Sequence, residues 1–205
     1  MQATSDAESP ALPGHDADDS TDAESDLELF APAHENQVGA RDVLDMLPDP
    51  AAAAQVRAQI HDVIEAEGPI EVSRLARIVA RRFGLSTVRT ARADVIISLI
   101  PRARLRRHRL GTFAWPESLD PATWTDFRVA GDSVNRRLEE IAPEEIGNAM
   151  LALIDAIHDI SEEELIRETG LLFGISRLSA QFRARLEAVL TMLQKEADIT
   201  SPEEG

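Results

Sequence analysis

The chain has 205 residues, with 37 acidic against 21 basic side chains, a net charge of −16 and no cysteine. These numbers exclude a disulfide framework and thiolate metal sites, and no apolar run approaches the length of a membrane span. The opening residues, MQATSDAESP, have neither the basic start nor the apolar stretch of a secretory signal, so a cytoplasmic location is expected. With six Phe, two Trp and no Tyr, any core is mostly aliphatic, which suits helices.

Charge is spread unevenly. Residues 1–45 hold twelve acids and one base, Arg41. Large aliphatics are nearly absent from the first 25 residues, where Leu12 stands alone. Such a segment buries too little surface to offset its conformational entropy. A disordered acidic tail is therefore expected over residues 1–48, with Leu27, Leu29 and Phe30 as an incidental apolar island.

The folded part starts near Pro50. Val56, Ile60, Val63 and Ile64 recur at helical spacing over about 51–67, and Gly68-Pro69 stops that helix. A second helix is predicted over about 72–83, with Leu75, Ile78 and Val79 inward and Gly84 as its turn. Ser86 reads as the N-cap of a third helix running to about Leu99. Its predicted inward stripe is Val88, Ala91, Val95 and Leu99. Thr87, Arg89, Thr90, Ala93 and Ile97 fall on the opposite face, and Ile97 there is unexplained. A strand over about 104–108, a turn at Leu110-Gly111 and a return strand over 112–115 form a hairpin, with Leu105, Phe113 and Trp115 toward the helices. Helix, turn, helix and hairpin are the layout of a winged helix-turn-helix. Residues 117–137 connect, with Asp120-Pro121 starting one helical turn that carries Trp124 and with Phe127 as an anchor.

A ninety-residue offset brings the remainder into gap-free register with this unit. Ile60 meets Met150, Ile64 meets Ile154, Ile70 meets Ile160, and Leu75 meets Leu165. Phe83-Gly84-Leu85-Ser86 meets Phe173-Gly174-Ile175-Ser176. A second three-helix unit is expected over 138–200. Its second helix should open with the capping box Ser161–Glu164, and its third, about 177–196, carries the stripe Leu178, Phe182, Leu186, Leu190, Leu193. Only Asp198-Ile199-Thr200 is left for a strand, so the second wing is truncated. The fold class expected is mainly α: two tandem winged-helix-like units, 50–116 and 138–200, joined by 117–137 and preceded by the tail.

Between Glu71 and Arg109 stand eleven arginines and two acids, a local balance of +9. A basic stretch on an acidic chain is a local electrostatic site. The residues expected to contact nucleic acid are Arg81, Arg82, Thr87, Arg89 and Thr90 on the helices, and Arg102, Arg104, Arg106, Arg107 and Arg109 on the wing, where phosphates would be met. Strand alternation keeps the five wing arginines from facing one way. Arg77 has a counterpart in Arg167 and reads as a structural ion-pair residue. The alternative is a winged-helix protein-docking module whose arginines pair with carboxylates.

No enzyme is expected. The one lysine, Lys195, follows no Gly-rich phosphate loop. His15, His34, His61, His108 and His158 lack metal-ligand spacing, and no serine sits in a nucleophile elbow. Glu162-Glu163-Glu164 suits a helix N-terminus. No cofactor or metal is expected.

Glu67-Gly68-Pro69-Ile70, Arg89-Thr90 with Arg92, and Phe113-Ala114-Trp115-Pro116 resemble a bacterial domain of unknown function. That domain lies at the C-terminus of large superfamily 1 helicase-like proteins, often beside an endonuclease-like domain. Ile141, Pro143, Glu145, Ile146, Ala149, Gly174 and Arg177 are similar to the segment that follows it there. The resemblance covers roughly residues 55–200. It departs at Ala91, where Gly is expected, and in lacking an attached helicase core. It implies an accessory DNA-processing role, with DNA and a helicase-like protein as partners.

Overall fold

The computed structural model describes residues 27–131 and 136–200. Within them the chain is mainly helical, with one small antiparallel sheet. The helices are α1 (Asp42–Asp45), α2 (Pro50–Glu67), α3 (Val72–Arg82), α4 (Thr90–Ser98), α5 (Pro143–Ala156), α6 (Glu162–Leu172) and α7 (Ala180–Thr200). The strands β1 (Ile70–Glu71), β2 (Leu105–His108) and β3 (Gly111–Ala114) lie in the order β1-β3-β2. None of the described helices is long and apolar enough to cross a membrane.

Local chemistry sets most of these boundaries. The Asp49 carboxylate accepts from the backbone N–H groups of Ala51 and Ala52, and Pro50 occupies the first helical position, so α2 starts there. Gly68-Pro69 ends it and turns the chain into β1. Glu71 caps α3 by accepting from Arg74 N at 2.8 Å. Gly84, at φ +80°, closes α3: the Leu85 N–H reaches back to Ala80 O at 3.0 Å and the Gly84 N–H to Arg81 O at 2.9 Å.

The same closure recurs ninety residues on. Gly174 has φ +77°, Ile175 N–H donates to Gly170 O at 2.8 Å, and Gly174 N–H donates to Leu171 O at 2.9 Å. The starts of α6 and α7, Glu162 and Ala180, likewise match those of α3 and α4, Val72 and Thr90. Ser161 and Glu164 form the capping box at α6.

Two expectations about the third helices are corrected. Ser86 caps nothing: the chain stays non-helical through Arg89, and α4 begins at Thr90 with no side-chain cap. The buried positions shift accordingly. Ile96 and Ile100 are in the core, with Ala93, Ile97 and Leu99 packed against it, while Ala91 is exposed and Val95 is 40% exposed. Ile97 thus faces inward. In the second unit α7 continues helically through Thr200, so residues 198–200 form no strand.

Three apolar clusters result. The first joins α2, α3 and α4 through Val56, Ile60, Val63, Leu75, Val79 and Ile96. The second joins α5, α6 and α7 through Ile146, Met150, Leu165, Ile166, Leu186 and Leu190. A smaller one lies between them, where Phe113 and Trp115 of the hairpin meet Ala142, with Leu119 and Trp124 against them.

The N-terminal expectation is also corrected in part. Residues 1–26 lie outside the described residues. Residues 27–48 pack on the fold. Phe30 N–H donates to Val129 O at 2.9 Å, and Val129 N–H donates to Glu28 O at 2.8 Å. Val38 and Gly39 donate to Arg82 O. Phe30 is only 4% exposed, and Val43 and Leu44 of α1 belong to the first core. Of the apolar island only Phe30 is buried, worth roughly 1.5–3 kcal/mol, while Leu27 and Leu29 stay exposed.

Candidate nucleic-acid interface

The eleven arginines between residues 71 and 109 fall into two sets. Six are paired within the fold. Arg74 donates to Glu67 and, at 3.2 Å, to Glu140; Arg77 donates to Glu140. Arg81 pairs with Glu35 at 2.5 Å, Arg92 with Asp45, and Arg104 with both Glu65 and Glu117 at 2.8 Å. Arg82, 5% exposed, is held by His34 O, Gln59 and Asp62. Arg81, Arg82 and Arg104, expected to meet nucleic acid, are thus each held by carboxylates of the chain. Their guanidinium groups are already committed to carboxylates brought close by the tertiary fold. Arg77 is an ion-pair residue, as its place in the repeat suggested.

The other five, Arg89, Arg102, Arg106, Arg107 and Arg109, are exposed, and their side chains make no ion pair or hydrogen bond to any described residue. Thr87 and Thr90 are exposed beside Arg89 at the start of α4. Thr87 and Arg89 border a pocket closed by Arg41, Leu44 and Asp45 near α1. Arg106 and Arg107 lie on β2, the free edge of the sheet, and line a different cleft. The +9 stretch thus presents five unpaired arginines, four of them between 102 and 109.

The hairpin does not stand away from the body. His108 pairs with Gly111, so Arg109-Leu110 forms the turn, one residue earlier than expected. Gly111, at φ +139°, takes a conformation favouring glycine, and a Cβ there would lie 3.2 Å from the Phe113 ring. The turn is tied to the second unit. Arg185 donates to Leu110 O at 2.7 Å and to Ile141 O at 2.9 Å, Leu110 packs on the second core, and His108 Nε2 lies 3.0 Å from Glu144 Oε1. Burial outweighs the pull of Glu139 and Glu71 and lowers the pKa of Arg185 below the usual arginine value.

A buried charged junction locks the units together. Glu145 is fully buried on α5 and accepts from Arg128 Nη2 at 2.9 Å and from Arg136 Nη1 and Nη2 at 2.7 and 2.8 Å. Arg128 also reaches Glu67 O and Gly68 O. The Phe30 ring lies beneath Arg136, 4.1 Å from its guanidinium carbon, with those of Arg128 and Arg74 at 5.5 and 5.7 Å. Burial acts to raise the Glu145 pKa, but the two guanidinium groups outweigh it and hold the carboxyl below the ordinary range. Glu140 is lowered for the same reason, with Arg137 and Arg74 outweighing burial. One signal was present: Glu67 and Glu145 sit on the apolar stripes of their helices, where an unpaired charge would not be tolerated.

Residues 45–90 match the model of a family described as "Protein of unknown function (DUF3320)". The match spans α2, β1 and α3 and stops at the first residue of α4. No curated protein and no solved structure matches the chain.

Proposed function

We propose that this protein is a non-enzymatic nucleic-acid-binding accessory module whose residues 50–116 form a winged helix-turn-helix. One observation carries the reading. In a chain with net charge −16, where six nearby arginines have found carboxylates, the side chains of four arginines between 102 and 109 are exposed and unpartnered among the described residues, on and around a hairpin. Unpaired guanidinium groups on a sheet edge suit phosphate oxygens. The resemblance to the C-terminal domain of helicase-like proteins supports a role within a helicase- or nuclease-type DNA-processing system, in the cytoplasm. No side chain of the exposed α4 face is Asn or Gln, so binding is weakly selective for sequence.

The test is titration of labelled duplex and single strands with the full chain at two salt concentrations. Replacing Arg102, Arg106, Arg107 and Arg109 with Ala weakens binding and flattens its salt dependence by up to about 0.9 in slope per lost contact on duplex. Absence of binding at low salt overturns the reading.

Protein docking is the second reading, and it has its own observation. Ile64 of α2 is 2% exposed, whereas Ile154, its equivalent on α5, is 45% exposed beside Leu151 and Ile157. That face of the second unit thus carries exposed apolar side chains, where the first unit has His61, the covered Ile64 and Glu67.

A further inference from the structure

We propose that the cleft between the hairpin and the second unit seats a single-stranded stretch of nucleic acid. This rests on the nucleic-acid reading above and names the form bound. A wing that enters a duplex groove needs a free tip. Here the tip is fastened: the Leu110 carbonyl accepts from Arg185 and the Leu110 side chain is packed on the second core. The unpartnered arginines of the edge strand open instead onto a cleft of about 670 Å³ between β2, the turn at 121–125, α5 and α7.

The cleft joins two kinds of wall. Arg106 shares a sheet face with its cross-strand partner Phe113, which is buried toward Ala142, so its guanidinium stands on the cleft side; Arg107 borders the rim. Trp124 and Leu151 line the same cleft. Trp124 is half-buried, set edge-on to Trp115 at 5.5 Å between ring centroids, and so held in one orientation. Asn148 fixes the loop carrying it by donating to Trp124 O at 3.0 Å and Asp126 O at 2.9 Å. A cation beside a fixed aromatic is an arrangement that binds a backbone phosphate while a base stacks. Sites of about 300–1,000 Å³ hold small ligands, so this one holds a nucleotide or two and not a duplex. Glu144 and Glu196 also line the cleft, with Glu144 Oε1 3.0 Å from His108 Nε2.

The test compares a labelled oligothymidylate strand with a duplex of equal length, binding to the full chain at low salt. The single strand binds more tightly. Trp124→Leu lowers its affinity about fivefold or more with little effect on duplex. Because Trp124 touches Trp115, Leu151→Glu provides a second variant: Leu151 is 51% exposed, so the change places a negative charge in the cleft at little folding cost. It too weakens single-strand binding selectively. Equal binding of strand and duplex, both indifferent to Leu151→Glu, overturns the cleft while leaving the nucleic-acid reading intact. Binding of neither overturns both. Displacement of the strand by polyglutamate as effectively as by unlabelled strand also overturns it, because charge alone would then suffice.

Discussion

Replacing Glu145 with Gln tests whether the buried junction holds the two units together. The carboxylate is fully buried and faces two guanidinium groups. Gln keeps one acceptor oxygen, which can retain the bonds now made to Oε1 by Arg128 N, Arg128 Nε and Arg136 Nη2. The other oxygen becomes an NH₂ group directed at Arg128 Nη2 and Arg136 Nη1, donor against donor. Two buried cations then lose their counter-charge. Breaking a buried pair in this way costs about 3–5 kcal/mol, or roughly 6–20 °C in Tm for a chain of this size. The pH dependence has a definite sign. The folded pKa of Glu145 lies below its ordinary value of 4.5, so between the two values the unfolded chain binds more protons than the folded one. The stabilisation is present above pH 4.5 and is lost as pH falls through the folded pKa. A protonated Glu145 resembles Gln, so wild type and variant converge in acid. Thermal unfolding followed by circular dichroism from neutral pH to about pH 3 measures both effects. A loss under about 1 kcal/mol at neutral pH, or a difference that stays constant into acid, would refute the reasoning.

Phe30→Ala should destabilise the fold by about 3–5 kcal/mol, since it empties a buried site and uncovers Arg136; denaturant titration measures it. Arg185→Ala should cost about 1.5–3 kcal/mol and raise amide hydrogen exchange in residues 105–114 more than in α2 or α3, because the hairpin turn loses its tie; uniform exchange would show that the tie does not hold the hairpin. Removing residues 1–26, which carry eight acids and no base, should tighten nucleic-acid binding at low salt, with the gain shrinking by about 0.5 M salt as screening shortens. An unchanged affinity at low salt would leave the tail without a part in binding.

Where local chemistry sets structure, the sequence was readable. Gly68-Pro69, Gly84 and the Ser161–Glu164 box mark their helix ends as expected, and the ninety-residue offset reappears in the matched closures at Gly84 and Gly174. Ser86 resembles a cap, but α4 starts at Thr90, so Ala91 and Val95 of the expected stripe are exposed while Val88 and Leu99 still pack against the core. The candidate site was legible as a basic stretch but not as individual roles. Whether an arginine is spent on a carboxylate depends on residues far along the chain: Glu140 for Arg77, Glu35 for Arg81. Phe30 was misjudged for the same reason, because the guanidinium groups around it come from α3 and the connector.

The pairing of β1 with β3, Ile70 opposite Ala114, bears on how the protein can be divided. The family match ends at Thr90, so a fragment cut to its limits would keep β1 and discard the strand that completes it. It would also leave Arg74 and Arg77 without Glu140, and Glu67 without the Ala33 amide that donates to it at 2.9 Å. The span that sequence matching marks out is therefore not a separable building block. Expression, crystallisation or transplantation of this region calls for a piece that reaches back to Phe30 and forward through α7.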